Sequence, residues 1–241
     1  MADEGSAAGE AAVPTPNEPP AAVPPPSPAL PTAPSQLQHL QAEAVADGIH
    51  VFGWEPLPEQ TADENGMDLA LLVARSSKCK AGSMGCLIAS SSGEVLAVHV
   101  NSPLWEPINL KRPASDVHAE VNAVGLCARR GKPTEGATVY VTMPPCKRCF
   151  AVLTASGIRR IVSRKPLHSQ EAKDIGGTAR RLGVVFVVVE DTEARRAHLD
   201  RLASRKRGRE DTEAAEAEIV EAGAGKAVAS EAADGAGGVA A

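Results

Sequence analysis

The stretch ATVYVTMPPCKRCFAVLTASG, residues 137–157, joins a strand pattern to a helix pattern and holds two of the five cysteines in the chain. Its first part, ATVYVTM, is rich in β-branched residues, which favour strands. The two prolines that follow, and Gly157 at the end, are typical of the beginning and the end of a helix. The stretch therefore predicts a strand followed by a helix, with Cys146 and Cys149 in or beside the first helical turn.

The patterns on either side extend this alternation of strands and helices. Apolar residues at helical spacing predict a helix over 67–78, and two apolar runs joined by a turn predict a β-hairpin over 83–100. A Ser/Asp start and a glycine stop predict a long helix over 115–131. The segments IRRIVS, QEAKDIGGTARRLG and VVFVVVE predict a strand, a weaker helix and a last apolar strand.

This order of elements predicts an α/β fold with three layers, α-β-α. Strands that alternate with helices form a sheet covered on both faces, and the hairpin makes this sheet mixed rather than wholly parallel. The last two strands are joined through a helix, and such a crossover is right-handed and leaves the strands parallel. We therefore expect a five-stranded mixed sheet whose last two strands are parallel.

Composition divides the chain into a central domain and flanking segments. Residues 1–36 contain about half of the prolines and no Lys or Arg, and residues 210–241 are rich in Ala, Gly and Glu. Such segments bury too little apolar surface to offset the entropy of ordering, so we expect both to be disordered tails. We place the domain at 67–190, an extension of undetermined order at 37–66 and a basic helix at 191–209.

Charge is unevenly distributed along the chain. The net charge is −5, but residues 67–190 contain 17 Lys and Arg against 9 Asp and Glu, a net charge of about +8. This excess favours an anionic ligand, such as a nucleotide phosphate or a nucleic-acid backbone, although a solvated mixed surface accounts for it equally well. The basic run RKRGR at 205–209 fits nuclear targeting, RNA contact, or a helix end that complements its own dipole.

Cysteine usage and hydropathy bear on the compartment. Five cysteines, an odd and scattered set, do not form a disulfide framework. No segment approaches the roughly 20 consecutive apolar residues of a membrane span, and the N-terminal residues include Asp and Glu but no basic residue, unlike a secretory signal. We expect a protein of the cytosol or the nucleus with no membrane association.

Cys146 and Cys149 fit three kinds of site: half of a metal site, a redox dithiol, or two thiols that fill core space. A helix N-terminus favours thiolates, which act as ligands or nucleophiles, and this counts against the core interpretation. His118 begins the preceding long helix, and both helix N-termini are expected at the same edge of the sheet. One imidazole and two thiolates there would bind one zinc ion per chain and leave its fourth position open for water.

Glu120 stands two residues after His118, before the apolar stripe of the same helix. Two thiolates make zinc a weaker Lewis acid, and an adjacent carboxylate compensates by taking a proton from the bound water and delivering it to the substrate. A solvated position on the helix surface is the alternative for Glu120. The His-x-Glu spacing favours the catalytic interpretation.

His118-Ala119-Glu120, followed by Pro-Cys-Lys-Arg-Cys at 145–149, resembles the H-x-E and P-C-x-x-C signature of the zinc-dependent cytidine and deoxycytidylate (CMP/dCMP-type) deaminases. The resemblance runs from about Met67 to Glu190 and includes the order of elements, so it implies a cytidine-deaminase-like fold. It also implies hydrolytic deamination of a cytosine-bearing nucleotide. In this reaction zinc-bound hydroxide attacks the amino-bearing ring carbon, Glu120 shuttles protons, and ammonia leaves.

The resemblance also implies substrate contacts. HAEVNA at 118–123 and the segment 74–89 are similar to their counterparts in deoxycytidylate deaminases, in which an asparagine after the second strand faces the sugar or the base. Separately, cations in the loop before His118 would hold a phosphate, and its tryptophan would either stack on a base or cap the core. The predicted substrate contacts are Asn101, Trp105, Lys111, Arg112, Ala119, Thr142 and Pro144.

The sequence departs from the deoxycytidylate deaminases at two places. The loop between Asn101 and His118 lacks the additional Cys and His residues that some of them have. The sequence around the two cysteines, TMPPCKRC, also differs from the one usual in those enzymes. A tRNA or RNA deaminase acting on adenosine or cytidine, and a non-catalytic zinc-stabilised partner protein, therefore remain alternatives. With six aromatic residues in the chain, a mononucleotide is favoured over a polynucleotide, although RNA stays possible. We expect a homo-oligomer, or a heterodimer with a related deaminase subunit.

Overall fold

The structure is a computed structural model that describes residues 27–79, 82–104 and 116–204. Its helices in chain order are α1 (Pro34–Ala46), α2 (Ala62–Ala74), α3 (Ala119–Arg129), α4 (Lys147–Ala155), α5 (Ser169–Leu182) and α6 (residues 193–204). Its strands are β1 (Gly85–Ala89), β2 (Val95–Val100), β3 (Ser102–Pro103), β4 (Asp116–Val117), β5 (Thr138–Val141), β6 (Arg160–Ser163) and β7 (Val185–Val188).

Five of the strands form one mixed sheet in the order β2-β1-β5-β6-β7. Strand β1 is antiparallel to both β2 and β5, whereas β5, β6 and β7 run parallel to one another. The predicted five-stranded mixed sheet with its last two strands parallel is confirmed. Because β2 and β5 are both antiparallel to β1, they point the same way and end at the same edge of the sheet. The short strands β3 and β4 pair only with each other and had no sequence pattern of their own.

Helices cover both faces of this sheet, so the predicted three-layer arrangement is confirmed. The core on one face includes residues of α1, α2 and α6, packed against β1, β2 and Tyr140 of β5. The core on the other face includes residues of α3, α4 and α5, packed against Cys86, Val139 and Ile161. The alternation of side chains along each strand thus supplies two separate apolar cores.

Helix α2 begins five residues earlier than the sequence predicts, at Ala62 rather than at residue 67. The reason is a capping box, in which the Thr61 hydroxyl accepts from the Glu64 N–H and the Glu64 carboxylate accepts from the Thr61 N–H. The helix then packs closely on β1, since a Cβ atom at Gly85 would lie 2.0 Å from the Ala70 carbonyl oxygen. Only glycine fits at the start of β1.

The structure differs from the expected N-terminal tail at residues 27–36. Leu30 is buried in the same core as Leu40 and Trp54, and α1 begins at Pro34, inside the segment expected to be a tail. The Ser27 hydroxyl donates to a carboxylate oxygen of Asp63 over 2.5 Å. The proline-rich composition did not predict these contacts. The few apolar side chains of such a segment pack only against residues of the folded domain, which local composition does not report. Residues 1–26 and 205–241 lie outside the described residues.

Helix α6 corresponds to the first part of the basic helix predicted at 191–209. Its Arg195 is buried and donates to the carboxylate of Asp68 in α2, and to the carbonyl oxygens of Glu64 and Glu190 over 3.1 and 2.8 Å. One basic residue of this helix is therefore part of the fold rather than of a charged surface. Across the three described ranges, no helix has the length and apolar character needed to cross a membrane.

Candidate active site

The side chains of His118, Cys146 and Cys149 converge at one edge of the sheet. Nδ1 of His118 lies 3.3 Å from Sγ of Cys149 and 3.8 Å from Sγ of Cys146. One potential ligand atom from each residue lies within 4.8 Å of the other two, and among the described residues this is the one cluster of His, Cys, Asp or Glu with that geometry. Since Nδ1 faces both sulfurs, Nδ1 would be the ligand atom of the imidazole.

The sheet topology accounts for this convergence. His118 is the N-cap residue of α3, and Cys146 is the N-cap residue of α4; both have extended backbone, and neither side chain caps its helix. The two side chains are thus free to point away from their helices toward a common ligand. Helix α4 follows β5 directly, and α3 follows β2 by way of β3 and β4; because β2 and β5 end at the same edge of the sheet, the N-termini of both helices meet there.

The donor set fits a zinc ion. Two sulfurs and one imidazole nitrogen are the ligands of many zinc sites in which the fourth position stays open. Burial raises the pKa of the Cys149 thiol, and Glu120 and Cys146 raise it further. Groups that become negative at close range destabilise one another, and a divalent cation between them offsets that repulsion. The described residues that line the site include no Lys or Arg that would offset this repulsion.

Glu120 lies in the first turn of α3 and is buried, with 7% of its surface exposed. Burial raises the pKa of this carboxyl, whereas the nearby His118 and a hydrogen bond with Cys149 lower it. A carboxyl group in such a setting exchanges protons closer to neutral pH than an exposed one does. Glu120 thus lies near His118 and Cys149, and its role as proton carrier stays a prediction.

A cavity of about 230 Å³ opens beside these residues. It is larger than the roughly 150 Å³ cavity that admits a benzene ring in another protein, so a single aromatic ring fits. Its lining contains His118, Glu120 and Cys146, together with four of the predicted substrate contacts: Asn101, Ala119, Thr142 and Pro144. The other three, Trp105, Lys111 and Arg112, lie outside the described residues.

Six further residues of the lining were not among the predicted contacts, namely Gly82, Met84, Gly85, Asp116, Val141 and Met143. Asp116 forms part of β4, two residues before His118, and adds a second carboxylate to the cavity. Its closeness to the His-x-Glu motif was the one available signal. Gly82 and Met84 precede β1 and face the cavity only because of long-range contacts that no local pattern reports.

The remaining cysteines lie outside the three-residue cluster, and this position, rather than the pKa of their thiols, separates them from Cys149. Burial raises the pKa of Cys127 to about 11 and raises that of Cys86 as well. Both belong to the core beneath α3 and α4, where a protonated thiol packs as a small apolar side chain. Cys79 precedes the wall residues 82–85 in the sequence and is not part of the three-residue cluster.

Residues 60–165 match the family described as the cytidine and deoxycytidylate deaminase zinc-binding region. The resemblance seen in the sequence is confirmed. This region of the cytidine and deoxycytidylate deaminase family includes His118, Glu120 and both cysteines of the cluster, so the family match and the geometry fall on the same residues.

Relatives of this chain match over short lengths. A deoxycytidylate deaminase of Mycobacterium phage D29 is 49% identical over 49 residues, which are 20% of this chain and 37% of the relative. The deoxycytidylate deaminase of Enterobacteria phage T2 is 46% identical over 48 residues, 20% of this chain and 26% of its own. A probable cytosine deaminase of Schizosaccharomyces pombe is 32% identical over 80 residues, 32% of this chain and 44% of its own. The chain thus matches less than half the length of each of these relatives.

One solved structure with a similar chain path is the dCMP deaminase of cyanophage S-TIM5 in complex with dCMP and dUMP. It is 23% identical, the alignment covers 55% of this chain and 98% of that chain, and the TM-score is 0.47.

Proposed function

We propose that this protein is a zinc-dependent hydrolytic deaminase of a cytosine-bearing nucleotide similar to dCMP or CMP. The observation that carries the proposal is the convergence of His118, Cys146 and Cys149 beside a buried Glu120 and a ring-sized cavity. The proposed reaction replaces the ring amino group by an oxygen from water and releases ammonia.

His118, Cys146 and Cys149 would hold one zinc ion per chain. When bound, zinc supplies a Lewis acid that lowers the pKa of a water molecule and so provides a nucleophile at neutral pH. The fold positions these ligands. The two helix N-termini orient the ligand atoms, and the core beneath α3 and α4 packs against those helices and holds them in place.

Glu120 would carry the protons of the reaction. Its carboxylate takes the two protons of the attacking water in turn, one when the oxygen attacks and one when the carbonyl forms. It gives the first to the ring nitrogen and the second to the amino group, which leaves as ammonia. Partial burial supports this assignment, because a carboxyl whose pKa is raised both accepts and releases protons near neutral pH. Such a group contributes roughly 10²–10⁴-fold to the rate in other enzymes.

The cavity walls support a flat, largely apolar ring as substrate. Val141, Met143, Pro144 and Met84 contribute apolar side chains to the lining. The described walls hold two carboxylates, Asp116 and Glu120, but no Lys or Arg. A substrate phosphate would therefore need cations from the loop that carries Lys111 and Arg112.

The test is ammonia release from a panel of cytosine, cytidine, deoxycytidine, CMP, dCMP and a cytidine- or adenosine-bearing RNA. We expect turnover of a monophosphate, with a higher kcat/KM than for its nucleoside. Replacing both Lys111 and Arg112 by Ala should remove that preference and leave nucleoside turnover unchanged. Turnover of the free base or of RNA alone would contradict the nucleotide proposal.

The RNA deaminase alternative gains little from the structure. A polynucleotide would need cations beyond the cavity, for which the basic region 195–209 is the candidate, but the Arg195 guanidinium is buried against Asp68. Arg196 faces the carboxylate of Asp191 at 3.6 Å. Arg195 is therefore not available to a phosphate backbone, whereas Arg196 is 60% exposed and the basic run at 205–209 lies outside the described residues. Assembly with a second copy or with a related deaminase subunit, and a place in the cytosol or nucleus, stay predictions.

A further inference from the structure

Two polar side chains at the cavity hold the backbone of the same short segment. Asn101 comes directly after β2, and Thr142 comes directly after β5. Both contact residues 82–85, which lead into β1 and supply Gly82, Met84 and Gly85 to the cavity wall. Both side chains were predicted to contact substrate, but their polar atoms are largely engaged with the protein itself.

Asn101 binds this segment through three hydrogen bonds. Its backbone N–H donates to the Met84 carbonyl oxygen over 3.1 Å, and its Oδ1 accepts from the Met84 N–H over 2.8 Å. Its Nδ2 donates to the Gly82 carbonyl oxygen over 2.8 Å. A backbone N–H can only donate and a carbonyl can only accept, so these partners fix which end of the amide is oxygen.

Ser77 completes the arrangement from the end of α2. Its hydroxyl lies 2.7 Å from Oδ1 of Asn101 and 3.1 Å from the Asn101 carbonyl oxygen, and it accepts from the Cys79 N–H over 3.2 Å. The hydroxyl has one hydrogen to donate, and the shorter contact favours Oδ1, which then has two donors, the Ser77 hydroxyl and the Met84 N–H, for its two lone pairs. The amide of Asn101 is 6% exposed and is held from two sides.

Thr142 holds the same segment from the other side. Its N–H donates to the Gly85 carbonyl oxygen, and its Oγ1 accepts from the Gly85 N–H, each over 3.1 Å. The same hydroxyl lies 3.7 Å from Sδ of Met84. Residues 82–85 are thus tied to the ends of the two strands that precede the proposed zinc ligands.

We propose that Ser77 is a positioning residue of the active site, which acts through Asn101 to hold residues 82–84 as a fixed wall of the cavity. The chemistry of the substrate contact follows from the same bonds. Oδ1 is filled, whereas Nδ2 has one hydrogen beyond the one it gives to Gly82. Asn101 therefore offers the cavity a donor, and the substrate atom that meets it is an acceptor oxygen, of a sugar or of a ring carbonyl.

The direct test is amide hydrogen exchange of the zinc-loaded protein, measured residue by residue by NMR. In Ser77→Ala we expect the Met84 amide to exchange about five times faster or more, because its acceptor Asn101 loses one of two anchors. Ser76→Ala is a matched control: the Ser76 hydroxyl accepts from the His50 N–H over 2.9 Å and does not contact Asn101. Equal exchange at Met84 in wild type and Ser77→Ala would overturn the proposal.

A second measurement rests on the proposed function and uses the nucleotide that is turned over. Ser77→Ala should raise KM about fivefold while kcat and the zinc content stay near those of wild type, and Ser77→Thr, which keeps the hydroxyl, should restore KM. A fall in kcat at constant KM, or the same KM change in Ser76→Ala, would contradict a positioning role. If no nucleotide is deaminated, the proposed function fails, while hydrogen exchange still decides the role of Ser77.

Discussion

Two groups of buried polar side chains in this molecule differ in how their charges are balanced. On the face covered by α2 and α6, the carboxylate of Asp68 meets the guanidinium of Arg195, and nearby the carboxylate of Asp63 meets Arg160 through two hydrogen bonds of 2.6 and 2.7 Å. At the edge where α3 and α4 begin, two thiols and a buried carboxyl lie close together, and the described residues around them contribute no Lys or Arg.

This difference separates structural polar groups from functional ones. Removing charges from water is costly, and a pair within the chain offsets most of that cost. The first group is balanced by its own arginines and needs nothing from outside the chain. The second group has no such partner in the described lining, and burial favours the neutral forms of Cys149 and Glu120, so a bound cation would stabilise their ionised forms. A close set of anionic donors around a cavity is therefore a better indicator of function here than the buried ion pairs are.

The largest expected effect belongs to Glu120, which would move protons but not hold the metal. Glu120→Ala should lower kcat by about 10³-fold or more while zinc content and melting temperature stay near those of wild type. Turnover on dCMP or CMP, metal analysis and thermal melting of the same preparations would measure this. Near-normal turnover in the variant would mean that another group carries the protons.

The proposed metal ligands should affect turnover as strongly as Glu120 does, and zinc content as well. Cys149→Ala should lose most of the bound zinc and with it all measurable turnover, because a three-ligand site that loses one thiolate binds zinc far more weakly. Elemental analysis after dialysis checks this. Cys127→Ala is the control: its thiol is buried away from the cluster, so zinc should be retained even if stability falls. Full zinc content in Cys149→Ala would rule out Cys149 as a ligand.

These two predictions depend on a site that the sequence largely defined. The spacing His-x-Glu and Cys-x-x-Cys, together with alternating strands and helices, was enough to predict that His118 and the cysteines meet, since helices that follow strands of the same direction begin at the same edge. The sequence did not show that the side chains of Asn101 and Thr142 form hydrogen bonds with the backbone of residues 82–85. Which polar atoms remain available for a ligand depends on contacts between distant segments.

The same limit applies to the fold. The strands were predicted because their β-branched runs are local signals, and α2 was placed too late because the capping box at Thr61 and Glu64 was overlooked. Helix α1 has only a weak apolar pattern: it buries Leu40 and Ala44 but exposes most of its other side chains. Its stability comes from the core it covers, and a pattern within 13 residues does not report that.

On the balanced side of the comparison, Arg195→Met should destabilise the fold by about 3–5 kcal/mol, because it leaves the carboxylate of Asp68 buried without a partner. Chemical denaturation measures the loss. Arg196→Met is the matched control on the same helix, since Arg196 is 60% exposed and its pairing with Asp191 should contribute below about 1 kcal/mol.

Zinc content per folded molecule should be the same in both arginine variants, because α6 does not contact the cluster. Equal stabilities of the two variants would show that the buried pair is no more important than the surface pair. The result also bears on truncation: a chain cut after Glu190 loses Arg195 and the buried Leu199, so it should be less stable than the full chain.

The smallest effect expected concerns the N-terminal segment, and it sharpens where the domain begins. Leu30 is 4% exposed and packs in the core beneath α1, so Leu30→Ala should cost about 2–3 kcal/mol of unfolding free energy. Leu182→Ala, at a position that is 41% exposed, should cost less than about 1 kcal/mol.

Removal of residues 1–26 should leave the denaturation midpoint unchanged, whereas removal of residues 1–36 should lower it, because it deletes both Leu30 and the Ser27 hydroxyl that donates to Asp63. Equal midpoints for the two truncations would place the start of the domain after residue 36, as the composition alone predicts.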